Sequence, residues 1–228
     1  MKFSTSGAVK MTLDVIIPVH NQRSYTQHLL ECIGNNTIIP NTIFVIDNNS
    51  SDDTEQTVKK FDLPVVYCKL EQNAGVNASW NLGISMSAAD LICFLNNDLL
   101  IPDFFFQKIQ LAFSLHSKLG LAVPLTITSQ DALFLARPPE GIGISVPLTK
   151  REGWAFTMRR ELLHSIGPIP FATKNFFGDD CFYQGCLKAG YWASKMRDIP
   201  VFHYGSVTVN ATGVIHTLRK EREQWKSR

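Results

Sequence analysis

Four carboxylates and a histidine, spread over three distant parts of the chain and its last strand, stand where chemistry could use them. The apolar run Leu91-Ile92-Cys93-Phe94-Leu95 stops at Asn96-Asn97-Asp98. An apolar strand that ends in oxygen-bearing side chains can deliver a metal or phosphate site beyond the carboxyl edge of a sheet. Asp98 carries the full charge of that triplet and is a hard oxygen donor suited to Mg2+ or Mn2+. The same residue types also suit a plain strand-to-turn junction. Asp179-Asp180 follows Phe176-Phe177-Gly178, and an aromatic setting disfavours two adjacent charges and readies one carboxylate to take a proton. Equally, both could simply charge the first turn of a helix. His203 closes a short apolar run, where its imidazole could complete a divalent site with Asp98 or serve as a structural hydrogen-bonder. Asp47 ends another apolar run, where it could accept from a base N–H or ribose hydroxyls, or cap the next helix.

To bring these residues together the chain needs strands that alternate with helices, and its periodicity supplies them. Residues 13–19, 42–46, 63–70 and 91–95 read as strands; residues 25–33, 54–61 and 76–88 between them read as helices. That alternation implies βαβ units and a parallel sheet. Three polar sets, Pro18-Val19-His20-Asn21, Asp47-Asn48-Asn49 and Asn96-Asn97-Asp98, then open on one edge, the place where a nucleotide could touch all of them. Asn73-Ala74-Gly75 leads into the third helix, so its backbone could approach a ribose or phosphate closely. Asn73 and Asn81 read either as ligand contacts or as capping and core-satisfying amides. No GxxxxGK[ST] loop is present, which disfavours a P-loop ATPase.

Further along, Pro102 opens an aromatic-rich helix and residues 121–128 return as a strand. Residues 130–150 hold Pro and Gly too often for a regular element and read as a loop or irregular strands over the site. Residues 153–158 read as a strand, 160–166 as a short helix, 179–189 as a helix capped by Gly190, and 199–203 as the last strand. The tail, residues 214–228, carries Arg219, Lys220, Arg222, Lys226 and Arg228. It permits contact with a membrane surface or another polyanion, nucleic acid included, and is equally a solvated charged helix.

With 228 residues and 45% hydrophobic content, the chain can bury the core of one large domain. A formal net charge of +2 is too mild to argue for nucleic-acid or membrane binding. Five cysteines, an odd number without CxxC spacing, read as reduced core residues of a reducing compartment. The polar first ten residues lack a signal-peptide apolar region, and no stretch reaches the roughly 20 apolar residues of a membrane span. The expectation is a cytoplasmic protein, at most peripheral to a membrane.

Taken in order, Val15-Ile16-Ile17-Pro18-Val19-His20-Asn21, Val45-Ile46-Asp47-Asn48-Asn49-Ser50-Ser51-Asp52, Asn73-Ala74-Gly75 through Asn81-Leu82-Gly83, Phe94 to Asp98, Gly153-Trp154-Ala155-Phe156, Phe177-Gly178-Asp179-Asp180 and His203-Tyr204-Gly205-Ser206 resemble the inverting family 2 glycosyltransferases of the GT-A fold. The resemblance implies one α/β domain with a Rossmann-like, mostly parallel sheet flanked by helices: a nucleotide-sugar part over residues 13–100, an acceptor and base part over 101–206, and a basic tail over 207–228. It implies that Pro18, Val19, His20, Asn21, Asp47, Asn49, Asn73, Gly75, Asn81, Asn96 and Asn97 surround a UDP-, GDP- or dTDP-sugar, with Asp47 on the base. Asp98, with His203 as second ligand, would hold Mn2+ or Mg2+; Asn96 stands where many relatives carry an acidic residue. Trp154, Gly153 and Phe177 would meet a hydroxyl acceptor. Asp179-Asp180 replaces the Glu-Asp of the family's catalytic-base motif. Spacing to Ala189-Gly190-Tyr191 fits Asp179 as the base, whereas the local Phe-Gly-Asp-Asp pattern fits Asp180, which is preferred. The competing readings are a nucleotidyltransferase, which normally wants a basic Gly-rich loop that residues 18–23 lack, and a non-catalytic nucleotide-sugar or glycan binding module.

Overall fold

The computed structural model describes residues 11–134, 136, 144–145, 148, 153–169, 173–205, 217 and 220–223. Its first half is the expected alternation: β1 (Leu13–Val19), α1 (Arg23–Gly34), β2 (Thr42–Asp47), α2 (Thr54–Val58), β3 (Val65–Lys69), α3 (Val76–Met86) and β4 (Leu91–Leu95). There follow β5 (Leu99–Leu100), α4 (Phe105–Leu115), β6 (Leu119–Ile127), α5 (Gln130–Phe134), β7 (Ile144–Ser145) and β8 (Ala155–Arg159). A 3-10 turn, Arg160–Leu162, runs into α6 (Leu163–Ile166); α7 (Gly178–Lys188) and β9 (Trp192–His203) complete the described elements. Nine strands form one sheet in the order β3-β2-β1-β4-β8-β6-β9-β5, with β7 paired to β9. The run β3-β2-β1-β4 and the pair β6-β9 are parallel, and β8 is antiparallel to both β4 and β6.

Every residue of β1 and β4 is buried, as expected for strands covered on both faces. Their side chains alternate between two cores. Val15, Ile17, Val45 and Cys93 pack with Leu29 and Leu30 of α1 and Phe106 and Ile109 of α4. Ile16, Ile46, Phe94 and Phe156 pack on the other face with Trp80 of α3 and Phe182 of α7. There the Phe94 ring stacks on Phe156 at 4.5 Å and on Phe182 at 5.3 Å, while Trp80 meets Phe156 edge-on at 5.4 Å. The cysteines are free thiols, and burial pushes those of Cys93 and Cys186 up to about 12. No helix among the described residues is long and apolar enough to cross a membrane.

Several element boundaries depart from the expectation. The last strand starts at Trp192, seven residues before position 199, because Ser194, Lys195, Arg197 and Asp198 obscure an alternation in which Ala193, Ser194 and Met196 are nonetheless buried. Its pairing with β6 tolerates a register shift between Pro124 and Leu125. Helix α2 ends at Val58, since Lys60 and Phe61 already bond back in tight turns. The irregular segment at 130–150 holds a short helix and a two-residue strand among its described residues; Arg137 to Gly143 lies outside them, as do Met1 to Lys10, Ser206, Arg219, Lys226 and Arg228. In the tail, Lys220 and Arg222 are described and exposed.

Because Phe94 joins β4, β8 and α7 in one aromatic contact set, Phe94→Ala is expected to destabilise the protein by about 3–5 kcal/mol. Urea denaturation should show a lower midpoint at unchanged slope.

Candidate functional site

Parallel register carries β2, β1 and β4 to a common edge: Val19 pairs with Asp47, and Ile16 with Phe94. A cleft of about 650 Å3 opens there, within the range of small-molecule sites. One wall is built from strand ends, with Pro18, Val19 and His20 after β1, Asn48 after β2, and Asn96, Asn97 and Asp98 after β4. Asn73, Gly75 and Val76 extend it at the start of α3. The facing wall comes from sequence far downstream, namely Gly153, Trp154, the 174–179 segment, His203 and Thr217. The β4–β8 pairing joins the two walls: Leu95 lies opposite Ala155, and the Asn96 N–H donates to the Trp154 carbonyl at 2.8 Å.

Asp98 and His203 meet because β5 pairs with the end of β9, Leu99 opposite His203, and the Tyr204 N–H donates to the Asp98 carbonyl at 3.1 Å. His203 Nε2 is buried 3.2 Å from Asp98 Oδ1 yet makes no well-aligned hydrogen bond with the described residues. The Trp154 indole stacks on the imidazole at 5.0 Å and 16°, and its Nε1 donates to the Thr126 hydroxyl at 3.1 Å. Trp154 therefore lines the cleft while one ring face fixes His203. A hard carboxylate oxygen and an imidazole nitrogen that lacks a hydrogen bond suit a divalent ion. Among the described residues, no group of three or more His, Cys, Asp or Glu side chains could hold one. Any ion held by this pair would need its remaining ligands from outside the pair. Asn97 is buried beside them and donates through Nδ2 to the Thr26 hydroxyl of α1 at 3.0 Å, which anchors the triplet.

Asp179, not Asp180, lines the cleft. Phe177 adopts the left-handed region at φ 62° and turns the chain into α7. Successive helical residues then point about 100° apart, so one member of the pair faces the cleft and Asp180, 9% exposed, packs away from it. The cleft is thus lined by Asp179 rather than by the preferred Asp180. Gly153 approaches Asp179 so closely that a Cβ there would lie 2.8 Å from Oδ2. Gly75, at φ +88°, could carry no side chain, since a Cβ would lie 2.5 Å from the Lys174 carbonyl oxygen.

Residues 14–173 match the sequence profile described as Glycosyl transferase family 2. The chain belongs to this family. It is 34% identical over 101 residues to an uncharacterized glycosyltransferase of Rickettsia bellii, a match covering 43% of this chain and 14% of that protein. It is 30% identical over 108 residues to the minor teichoic acid biosynthesis protein GgaB of Bacillus subtilis, covering 45% and 12%. A third relative, the GalNAc(5)-diNAcBac-PP-undecaprenol beta-1,3-glucosyltransferase of Campylobacter jejuni, is 33% identical over 91 residues, covering 38% and 29%. The matched stretch thus spans under a third of each of these proteins. Among solved structures, S. aureus TarS 1-349 in complex with UDP superposes with a TM-score of 0.69 at 18% identity, over 84% of this chain and 60% of that one. The mannosyltransferase PcManGT of Pyrobaculum calidifontis, in complex with GDP-Man and Mn2+, does so with 0.65 at 17% identity, over 86% and 57%. Both share the α/β fold with its curled, mostly parallel sheet.

In this family 2 glycosyltransferase, four residues expected around a nucleotide sugar lie off the cleft. Asp47 is fully buried: Oδ1 accepts from the Ser50 N–H at 2.8 Å and the Ser50 hydroxyl at 2.6 Å, and Oδ2 from the Tyr67 hydroxyl. It is the turn cap, and its neighbour Asn48 is the one on the cleft wall. Asn48 accepts from the Gly75 N–H at 3.2 Å and donates to the Ser79 hydroxyl at 2.8 Å, tying the end of β2 to the start of α3. Asn21, at φ 55°, accepts from the Ser51 N–H at 2.8 Å and braces the turn. Asn49 is exposed at φ 61° and does not line the cleft. Asn81 makes a two-way bond with the Ile169 backbone at 2.8 and 2.9 Å, which fixes the chain before α7. Asn73 keeps its expected place and accepts from the Gly75 N–H at 3.0 Å. His20 also lines the cleft, with Nδ1 2.8 Å from the Asn48 carbonyl. Lys174 and Asn175 line it unforeseen. No motif flagged either, although Lys174 is the last basic residue before the Phe-Phe-Gly-Asp-Asp run.

The Tyr67 phenol is pushed well above its ordinary value, first by burial and then by its hydrogen bond to Asp47. A raised folded-state value means that the stabilisation is complete below about pH 10, where the unfolded phenol titrates, and is lost as pH climbs beyond it. Tyr67→Phe should lower stability by about 1–3 kcal/mol at neutral pH. Chemical denaturation against pH should also show that the variant lacks part of the wild type's alkaline decline.

Proposed function

We propose that this chain is the catalytic part of an inverting glycosyltransferase that moves a hexosyl or pentosyl group from a nucleotide-diphosphate sugar to a hydroxyl acceptor with the help of Mn2+ or Mg2+. The observation that carries the reading is that Asp98, with His203, and Asp179 border one cleft although 81 positions separate the two carboxylates. Asn48, His20 and Pro18 form the part of the cleft suited to a nucleoside, Asn48 doing what Asp47 was expected to do. Lys174 supplies a cation for the diphosphate, and α3 starts beside it, where a helix favours negative charge. A divalent ion bound by Asp98 and His203 would supply charge neutralisation for the departing diphosphate. Trp154, Phe176 and Phe177 offer flat apolar surface to an acceptor sugar.

Asp179 then takes the proton of the acceptor hydroxyl. The oxygen forms its bond to the anomeric carbon from the face opposite the phosphate while the carbon–phosphate-oxygen bond breaks. That electron pair leaves with the nucleoside diphosphate. No covalent enzyme intermediate is required, and the anomeric centre inverts. Solved neighbours hold UDP, UDP-GlcNAc or GDP-Man, so a UDP-sugar is the first donor to try. The names of the Bacillus and Campylobacter relatives suggest an acceptor from a cell-surface polymer or a lipid-linked saccharide. The free thiols suit a cytoplasmic donor pool, with any membrane contact peripheral.

A thermal-shift screen of nucleotide sugars with Mn2+ or Mg2+ should identify a donor that raises the melting temperature. With it, Asp98→Ala and Asp179→Asn should each lose at least about a hundredfold in transfer while remaining folded, and Asp180→Asn should lose far less. Gly153→Ala, which crowds Asp179, should cost about tenfold to a hundredfold in kcat. Unchanged turnover in Asp98→Ala and Asp179→Asn would refute the assignment; donor binding without any transfer would make the chain a binding module.

A further inference from the structure

Glu221 is 5% exposed, and its carboxylate is spent on the backbone. Oε2 accepts from three successive main-chain N–H groups, those of Lys174 at 2.9 Å, Asn175 at 3.0 Å and Phe176 at 3.1 Å. Oε1 accepts from the Thr217 hydroxyl at 3.0 Å. Consecutive amides converging on one oxygen form an anion nest, and such charge-assisted bonds are about twice as strong as neutral ones. The same turn is gripped from the opposite side by α3. Asn77 Nδ2 lies 3.0 Å from the Thr173 carbonyl, the Thr173 hydroxyl and the Phe176 carbonyl, and the Asn77 N–H donates to the Lys174 carbonyl at 3.1 Å.

The turn needs both grips. It leads directly into Phe177, a bulky residue held at φ 62°, a conformation that survives where the surroundings over-determine it. Phe177 sets the direction of the first turn of α7, and so decides which carboxylate faces the cleft. We propose that Glu221 is a positioning residue for the reaction: its carboxylate, seated in the 174–176 nest, holds the turn so that Asp179 faces the acceptor. The inference rests on the function proposed above. It also makes Thr217 and Glu221 part of the working site, although neither belongs to the matched residues 14–173.

The test uses Glu221→Ala, which empties the nest, and Glu221→Gln, which keeps an acceptor oxygen without the charge. Glu221→Ala should lose about tenfold or more in transfer kcat with a smaller rise in donor KM, since the strand ends bind the nucleoside while Lys174, set against the diphosphate, stands in the same turn. Glu221→Gln should fall between it and wild type. Added formate, a carboxylate small enough to refill the nest, should restore a large part of the Glu221→Ala rate and leave wild type unaffected. Amide hydrogen exchange at Lys174, Asn175 and Phe176 should rise in Glu221→Ala and fall again with formate. A Glu221→Ala rate within twofold of wild type, or a loss that formate does not touch, would overturn the proposal. Should Glu221→Ala not fold, Glu221→Gln decides, and wild-type kcat and wild-type exchange at the three amides would overturn it. If wild type itself transfers no sugar, the proposed function fails, and exchange at those amides unchanged in Glu221→Ala would still dispose of the nest.

Discussion

The pairing of β4 with β8 is the constraint on which the remainder of the molecule depends. Five consecutive residue pairs, from Leu91 with Arg159 to Leu95 with Ala155, bind a strand of the first half of the chain to one from the second half. Phe94, Phe156 and Phe182 interlock behind that seam. An antiparallel neighbour enters where a parallel one leaves, so the residues before β8 arrive at the edge where β4 delivers Asp98. Without that reversal, Gly153 and Trp154 would sit at the opposite end of the sheet, and His203 would lose the ring it rests on.

The polar residues at strand ends divide into those that hold the edge and those that face the cavity. Asp47, Asn21 and Asn81 satisfy backbone groups in the turns and loops that shape the rim. Asn48, Asn73 and Gly75 join the rim to α3 while remaining on the cleft wall. A buried carboxylate with all its donors provided, like Asp47, holds a turn rigid and is poorly placed to exchange partners with a ligand. The amide beside it, Asn48, borders the cleft while both its ends brace the start of α3.

Continuous apolar runs made β1, β2 and β4 legible, and their parallel order followed from the helices between them, so one edge of the site could be read directly. The other edge resisted. The first half of β9 carries Lys195, Arg197 and Asp198, whose charges mask the strand period until the bulge against β6 is known. Which of two adjacent residues faces a cavity is a matter of phase rather than composition. For that reason it is Asn48 rather than Asp47, and Asp179 rather than Asp180, that lines the cleft. Glu221 could not have been found from residue types at all, because its partners are backbone amides that any sequence provides.

The parallel stack of Trp154 on His203 gives the site an optical property. An indole is the strongest ultraviolet emitter among side chains, and this one lies 5.0 Å from an imidazole that in turn touches Asp98. Trp80 packs in the aromatic core and also borders the cleft, while Trp192 is half in solvent. A charge held between the aspartate and the histidine would sit beside this indole and would bear on its emission. Trp80, at the same cleft, would contribute to any such signal, so replacing it would be needed to isolate the indole that rests on the histidine.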